Sequence, residues 1–267
     1  MLNCIVTGIA GRMGRRIAEI LIETKGIDVV AATEAPGHDT IGMDVGDFLG
    51  LGKKGAPIVD DLSKIIKKAD VVIDFTFPDV TMAHLRTASK AGKAMVIGST
   101  GFKDEHIKEI NKLAKKSVVV LAPNMSVGVN LLLKVLKDIA TVLDADYDID
   151  IVETHHRHKK DAPSGTALKM AQVVAAARGV KLDKMGVFTR QGNIGERRRG
   201  EIGVQTLRVG DVVGEHTVIF GTMGERLEIT HKASSRDVFA RGAVRAAQWV
   251  AGKGPGVYDM QDVLGIK

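Results

Sequence analysis

The chain has a single cysteine, Cys4, among its 267 residues. One cysteine excludes a disulfide within the chain, so we expect a reducing, cytoplasmic setting in which Cys4 packs in a buried strand. No apolar run approaches the ~18 residues that a membrane-spanning helix needs, so we expect no membrane partner. The chain does not begin with a basic segment followed by an apolar one, and we therefore expect no signal peptide.

Aromatic residues are also scarce, at 4% of the chain. Proteins that bind single-stranded nucleic acid stack the bases on aromatic side chains set among cations. This chain shows little such interleaving, so its formal net charge of +6 favours a small acidic ligand over nucleic acid. The charged fraction of 26% is ordinary for a globular protein, and the length allows two domains.

The N-terminal segment has the pattern of a dinucleotide-binding turn. A short apolar run at 2–7 is followed by glycines and then by apolar residues at helical spacing. A strand, a glycine turn and a helix in this order can hold a pyrophosphate at the helix N-terminus. The spacing Gly8-x-x-Gly11-x-x-Gly14 is a variant of the usual fingerprint, and a plain turn is the alternative. Glu34 lies ~20 residues further on, where an acid binds the adenosine ribose, and a solvated strand-end acid is the alternative.

Strands and helices alternate through the first half of the chain. This alternation predicts an α/β fold with a doubly wound, Rossmann-like parallel sheet. We expect a short helix at 62–68 and a long glycine-rich loop at 36–56. Ligands of such sheets lie beyond the carboxyl ends of the strands.

Strand then follows strand in the second half, which predicts a smaller α+β domain with a mixed or antiparallel sheet. We expect a dinucleotide-binding domain at 1–126, completed by a C-terminal helix within 236–267, and a substrate-binding and oligomerisation domain at 127–235. A basic loop at 191–200 is expected to be mobile. The predicted strands of the second domain are 147–154, 186–190, 202–209, 214–221 and 225–232.

Residues 153–167, Glu-Thr-His-His-Arg-His-Lys-Lys-Asp-Ala-Pro-Ser-Gly-Thr-Ala, combine histidines, other cations and a helix start. The alternating residues before them predict a strand, and Ser164 after a proline is typical of a helix N-cap. The N–H groups of Gly165 and Thr166 would then face an anion at the positive end of the helix. Because histidine is the usual proton donor near neutral pH, the pattern predicts a site for a small acid that also takes up a proton.

Two other interpretations of this basic stretch compete with an anion site. The first is a solvated surface loop. The second is a metal site built from His155, His156 and His158, but no cysteine or His-x-x-x-His pair accompanies them and lysines repel a divalent ion. We therefore expect no metal.

The stretch closely resembles the signature of the dihydrodipicolinate reductase family, which belongs to the diaminopimelate route to lysine. Segments 8–14, 73–76, 96–102 and 124–130 resemble the same family in the same order, so the resemblance spans nearly the whole chain. It implies an NAD(P)H-dependent reductase that converts 4-hydroxy-tetrahydrodipicolinate, a small dicarboxylate, to tetrahydrodipicolinate with loss of water. It also implies a homotetramer built through the sheet of the second domain.

The resemblance implies roles for individual residues as well. His155 and Lys159 would be the acid/base pair, and His156, Gly165 and Thr166 would bind the substrate carboxylates. Many relatives have an arginine after the ribose-binding acid, where this chain has Ala35, so we expect NADH to be preferred and NADPH to remain usable. The implied cofactor contacts are Gly8, Ile9, Ala10, Gly11, Arg12, Met13, Glu34, Gly98, Ser99, Thr100, Ala122, Pro123, Asn124 and Met125.

Two rival functions are a dehydrogenase for another small dicarboxylate, such as aspartate, and a non-catalytic dinucleotide sensor that binds nucleic acid. The first would not need the histidine and lysine string. The second would need a nucleic-acid-binding motif, and the sequence has no helix-turn-helix or zinc pattern.

Overall fold

A computed structural model describes residues 1–266. The chain divides into two compact units, residues 1–127 together with 237–265, and residues 128–236. Each unit buries hydrophobic clusters of its own.

The first unit alternates strands and helices as far as residue 121. Its elements are β1 (Leu2–Thr7), α1 (Arg12–Glu23), β2 (Ile27–Thr33), α2 (Val45–Leu49), β3 (Ile58–Val59), β4 (Val71–Asp74), α3 (Pro78–Lys90), β5 (Ala94–Ile97), α4 (Asp104–Leu113) and β6 (Val118–Leu121).

The second unit is richer in strands. Its elements are α5 (Val127–Val142), β7 (Asp148–His155), α6 (Gly165–Ala177), α7 (Leu182–Met185), β8 (Gly186–Val187), β9 (Ile202–Arg208), β10 (Gly214–Thr222) and β11 (Glu225–Ala233). The chain then returns to the first unit through α8 (Asp237–Trp249), β12 (Gly256–Tyr258) and α9 (Met260–Leu264).

The first sheet confirms the predicted Rossmann-like architecture. All its strands run parallel, in the order β3-β2-β1-β4-β5-β6-β12. The central strands are buried on both faces, as near-continuous apolar runs such as Val71–Ile73 require. The winding reverses between β1 and β4, so the ligand crevice of this fold lies at the carboxyl ends of these two strands. Cys4 is fully buried in β1, and burial raises the pKa of its thiol, which gives it a packing role.

The second sheet is mixed, with the order β11-β10-β7-β9-β8. β10 pairs antiparallel with β7 and β11, whereas β7 and β9 run parallel. Residues of α5 and α6 pack with the sheet in one buried cluster. Along β7 the side chains of Ile149, Ile151 and Glu153 alternate inward, and all three are buried. A carboxylate therefore occupies a position that the strand period assigns to the core.

Several predicted elements are wrong in detail. The helix expected at 62–68 is two short 3₁₀ turns, because Ile65 leaves helical geometry with φ −124° and ψ −11°. The strand expected at 186–190 pairs with β9 only at residues 186 and 187. The C-terminal segment is not one helix, since α8 ends at Trp249 and β12 then joins the sheet edge beside β6. The loop at 36–56 contains α2, whose N-cap Asp44 accepts a hydrogen bond from the Gly46 N–H.

Among residues 1–266, no helix is long and apolar enough to cross a membrane.

Candidate active site

The basic stretch joins the end of β7 to the start of α6, as its sequence predicts. Ser164 is the N-cap of α6, and its hydroxyl accepts a hydrogen bond from the Ala167 N–H at 3.2 Å. The Ser164 N–H donates to a carboxylate oxygen of Glu153 at 3.0 Å. The capping residue and the end of the strand are therefore tied together, and the loop between them has a fixed start and a fixed end.

Glu153 is the buried centre of this region. Its carboxylate accepts two hydrogen bonds at 3.0 Å from the guanidinium of Arg208 and one at 3.2 Å from the hydroxyl of Thr206. The Oε2 atom of Glu153 also accepts a short hydrogen bond from Nδ1 of His155. Both partners on β9 lie beside β7 in the parallel register, so the sheet itself brings the donors to the carboxylate.

These partners keep Glu153 ionised. Burial alone would raise the pKa of this carboxyl, but the hydrogen bonds from His155, Arg208 and the Ser164 N–H outweigh it and lower the pKa to about 2. A buried carboxylate with a bidentate arginine is held in one geometry. The site therefore contains a fixed negative charge against Nδ1 of His155.

His155 is consequently oriented by its neighbours. With Nδ1 engaged by Glu153, the other ring nitrogen, Nε2, faces Gly214 on β10, where a Cβ would lie only 3.0 Å from it. The His155 side chain is 12% exposed, so its ring is held in place yet is not sealed from solvent. A histidine whose Nδ1 is held by a carboxylate can deliver a proton from Nε2.

A second histidine, His216, packs against the ring of His155. The two ring centroids lie 5.2 Å apart at an interplanar angle of 79°. His216 Nε2 lies 3.1 Å from the hydroxyl of Ser164, and its Nδ1 has no hydrogen-bond partner among residues 1–266. Burial, with the charge of His155, lowers the pKa of His216 to about 4, so this ring is neutral at physiological pH. His216 therefore supports the helix cap and the His155 ring without adding charge.

The loop gathers further cationic groups around His156. Burial lowers the pKa of His156, and so do the charges of Arg236, His155, His158 and Lys159. These side chains are therefore close enough to influence one another electrostatically, as an anion-binding site requires.

Lys159 is already in an ion pair. Its ammonium donates at 2.8 Å to both carboxylate oxygens of Asp161, and the lysine side chain is 20% exposed. The Lys159 ammonium lowers the pKa of Asp161. The Asp161 side chain is 63% exposed, so solvent reaches the acidic partner of this pair.

The start of α6 offers an open approach. Gly165 is exposed, and a Cβ placed there would meet nothing within 4 Å. Space for a ligand is therefore present beside the first N–H groups of the helix. The expected contacts of Gly165 and Thr166 with a substrate carboxylate stay predictions.

The basic loop at 191–200 is attached to acidic residues. Arg197 bonds to Asp150, Arg198 to Glu201 at 2.9 Å, and Arg199 to Asp146. These carboxylates reduce the positive charge that the loop presents to a polyanion.

In the first unit, the glycine turn has the shape that a dinucleotide needs. Gly8 has φ +65°, a conformation that favours glycine. A Cβ at Gly14 would lie 2.1 Å from the Gly8 carbonyl oxygen, so α1 packs directly against the turn. This close packing is the role of the third glycine in dinucleotide-binding turns, and the N-terminus of α1 then faces the crevice. The residues present therefore fit a dinucleotide cofactor.

Glu34 follows the end of β2 and reaches the same turn. One carboxylate oxygen accepts a hydrogen bond from the Ala10 N–H and the other from the Ala35 N–H, both at 2.8 Å. The carboxylate is thus fixed beside the glycine turn, where the ribose-binding acid of this fold lies.

The other implied cofactor residues differ in how far their side chains are exposed. Ile9 and Met125 are buried in the core, so they can meet a ligand only through their backbone. Arg12 is exposed, and Met13 packs partly against the core. The segments 98–100 and 122–125 follow β5 and β6 at the carboxyl edge of the sheet. Their contacts with a cofactor stay predictions.

The main features that we did not predict are the partners of the named residues. Glu153 lies in the signature and has an inward position in β7, but it received no role. Arg208 and His216 lie far along the sequence, on strands beside β7. Sequence offers no signal for them unless the strand register is known. Among the described residues, no cluster of His, Cys, Asp or Glu is arranged to hold a metal ion.

A Rossmann-like sheet with a glycine turn and an acid beside that turn, together with a second sheet that carries a histidine-rich site, defines an NAD(P)H-dependent oxidoreductase. Comparison with known proteins is more specific. Family models described as the N-terminus and the C-terminus of dihydrodipicolinate reductase match residues 2–125 and 128–264. The chain belongs to the dihydrodipicolinate reductase family, and the resemblance in the sequence is confirmed.

Individual relatives agree over the full length. The chain is 55% identical to the 4-hydroxy-tetrahydrodipicolinate reductase of Syntrophus aciditrophicus (strain SB) and 51% identical to that of Syntrophobacter fumaroxidans (strain DSM 10017 / MPOB), with 100% of each chain covered. The structure is also similar to that of a dipicolinate-bound dihydrodipicolinate reductase from Paenisporosarcina sp. TG-14. The TM-score is 0.78 at 25% identity, with 98% of both chains covered.

Proposed function

We propose that this chain reduces 4-hydroxy-tetrahydrodipicolinate to tetrahydrodipicolinate with loss of water, using NAD(P)H, in the diaminopimelate route to lysine. The observation that carries the assignment of the site is the buried Glu153 carboxylate, which holds Nδ1 of His155 inside the family's signature loop. The reduced nicotinamide would supply a hydride when bound. The chain's own residues would then handle the carboxylates and the proton.

The substrate is a dianion, so binding it requires cations and N–H donors. His156, Lys159 and the first N–H groups of α6 belong to one electropositive region of the second unit. We infer that a substrate carboxylate takes the place of Asp161 beside the Lys159 ammonium. The exchange leaves the ammonium paired, because one carboxylate replaces another.

Hydride addition leaves an enamine-like anion that must take up a proton. His155 is placed to donate it from Nε2, since Nδ1 is held by Glu153. The buried carboxylate provides a counter-charge while the ring carries the proton, and Lys159 stabilises the charge that develops on the substrate. The first unit would bind the cofactor and the second unit the substrate.

The direct test is a coupled assay. The preceding enzyme generates the unstable substrate, and the loss of reduced-nicotinamide absorbance is followed. The proposal expects turnover that depends on the generated substrate and on NADH or NADPH. Reduction of NAD⁺ or NADP⁺ by aspartate, together with no turnover of the generated substrate, would contradict it and favour a dehydrogenase of another dicarboxylate.

We propose that NADH is preferred and NADPH is usable. The Glu34 carboxylate would accept the ribose hydroxyls of NADH, whereas a 2′-phosphate there would meet like charge. Of the nearby cations, Arg16 is committed to Asp237 by two hydrogen bonds of 2.7 Å, and Arg15 lies over the ring of Phe48. Arg12 is exposed and makes no ion pair within residues 1–266. It is therefore the guanidinium best able to reach a 2′-phosphate.

We also propose a homotetramer assembled through the second sheet, as the family implies, in the cytoplasm. β11 is an edge strand with mostly exposed residues, and unpaired sheet edges favour association. Leu227 on this strand is 41% exposed, and Val142 on α5 is 81% exposed. Light scattering at assay concentration should give the mass of a tetramer, and a stable monomer would contradict the proposal.

A further inference from the structure

At the carboxyl end of β4, the first unit contains a buried carboxylate that has no role in the function proposed above. Asp74 is 0% exposed. Nδ1 of His84, on α3, lies 2.6 Å from one of its oxygens. The carboxyl ends of β4 and β1 border the ligand crevice of this fold, so Asp74 lies beside the expected ligand site.

The second oxygen of Asp74 collects hydroxyl and amide donors. It accepts from the N–H and hydroxyl of Thr76 at 3.0 and 2.8 Å, from the Thr81 hydroxyl at 2.7 Å and from the Ser99 hydroxyl at 3.1 Å. The Thr81 and Ser99 oxygens are also 2.8 Å apart and can share a proton. One carboxylate thus joins the loop after β4, the first turns of α3 and the loop after β5.

Asp74 stays charged in this position. Burial alone would raise its pKa, but His84, the Thr76 N–H and the Thr81 hydroxyl lower it to about 2. An ionised carboxylate only accepts hydrogen bonds. The Thr76 hydroxyl is therefore directed toward Asp74, and its oxygen lone pairs remain to accept a bond from a ligand. The Thr81 and Ser99 hydroxyls are buried and also bond to each other.

The two loops that Asp74 joins border the crevice. Thr76 reaches the glycine turn, since a Cβ at Gly8 would lie 2.9 Å from its Cγ2 atom. Ser99 lies in the segment after β5. In a doubly wound sheet the half formed by β4, β5 and β6 takes the nicotinamide mononucleotide, whereas the half with β1 and β2 takes the adenosine.

We infer that Asp74 is a positioning residue for the nicotinamide half of the cofactor, acting through Thr76, Ser99 and His84. The inference rests on the proposed function, because it takes the first unit to be the cofactor site. A plain scaffolding role is the alternative, and it would affect the binding of every ligand of this unit alike. The two can be separated with a ligand that lacks both the nicotinamide and its ribose.

The experiment measures dissociation constants of NADH and of ADP for the folded full-length chain and its Asp74→Asn variant. The amide keeps the shape of the carboxylate but brings an N–H₂ group against His84 or the hydroxyls. We expect NADH to bind ~10-fold or more weakly, the size of losing hydrogen bonds to a charged group. ADP lacks the nicotinamide and its ribose, so it should bind within ~2-fold of wild type.

A matched control is Asp70→Asn, just before the same strand. Asp70 is exposed and accepts one hydrogen bond, at 2.8 Å, from the Asn3 N–H. This variant should bind both ligands like wild type. Equal weakening of NADH and ADP by Asp74→Asn would show scaffolding only, and unchanged NADH binding would also overturn the inference.

A second pair of variants keeps the test decisive if Asp74→Asn does not fold. His84→Asn retains an N–H donor near the position of Nδ1, whereas His84→Leu removes it. The inference expects NADH affinity to be largely retained in the first and reduced in the second, with ADP affinity unaffected in both. Equal NADH affinity in the two variants would overturn it. A wild-type chain that binds neither ligand would instead refute the proposed cofactor site itself.

Discussion

Replacing Glu153 with glutamine should disable the enzyme while leaving its shape almost unchanged. The carboxylate accepts hydrogen bonds from His155, from the Arg208 guanidinium and from the Ser164 N–H. A glutamine side chain can accept on one atom only, and its N–H₂ group must face a donor. Either the His155 ring loses its fixed orientation or the Arg208 guanidinium loses its partner.

The size of the effect follows from the pKa of Glu153, which falls from an ordinary 4.5 to about 2. This difference corresponds to roughly 3 kcal/mol in favour of the ionised carboxyl in the folded state. The contribution is fully present above pH 4.5 and is lost as the pH falls toward 2. Glu153→Gln should therefore lower the free energy of unfolding by roughly 3 kcal/mol at pH 7 and remove this acid-dependent loss.

Turnover should fall by ~100-fold or more, because a positioned proton donor is worth about that much. The assay compares kcat with the NADH dissociation constant in folded variant protein, and NADH affinity should not change. Glu215→Gln is the matched control, since Glu215 lies in the same sheet and pairs with Lys232 at 3.3 Å on a more exposed face. Near-normal kcat in folded Glu153→Gln would refute the role of this carboxylate in orienting His155.

Three further outcomes are expected. Glu34→Gln combined with Ala35→Arg should shift the ratio of kcat/KM for the two cofactors toward NADPH, and a wild-type ratio already strongly favouring NADPH would show that Glu34 does not set the choice. Burial lowers the pKa of His216 from 6.5 to about 4. As the pH falls, His216 therefore takes up a proton in the unfolded chain before it does so in the folded chain. Wild-type stability in urea should therefore drop by roughly 3 kcal/mol between pH 6.5 and 4, whereas His216→Gln should lack this drop. Asp161→Asn should change the substrate KM by less than ~5-fold, as for other exposed ion pairs, and a loss of turnover as large as that from Lys159→Ala would contradict the proposed exchange with substrate.

The sequence predicted best those elements that have a strong local residue pattern. The glycine turn at 8–14 and the cap at Ser164 depend on backbone geometry that few residue types satisfy, so both could be located from the sequence. The parallel sheet followed from alternation of apolar strands with helices. The C-terminal strand β12 was missed because it is only three residues long, Gly256–Tyr258, and exists through pairing with β6.

The partners within the site depended on register, which sequence alone does not give. Arg208 meets Glu153 because β9 runs parallel beside β7, and His216 packs on His155 because β10 runs antiparallel on its other side. The same holds for Ser99 and Asp74, which lie on adjacent strands or their loops. The inward period of β7 does mark Glu153 as a buried acid, which is the one signal that was available beforehand.

The most direct test of the central claim separates turnover from cofactor binding in His155→Gln and Lys159→Ala. In the coupled assay, both variants should lose ~100-fold or more in kcat, because the site would lack its proton donor or its stabilising charge. Their NADH dissociation constants should match wild type, since neither residue lies in the dinucleotide-binding unit. Near-normal turnover in both variants would show that the reaction takes place elsewhere and would contradict the assignment of this loop as the active site.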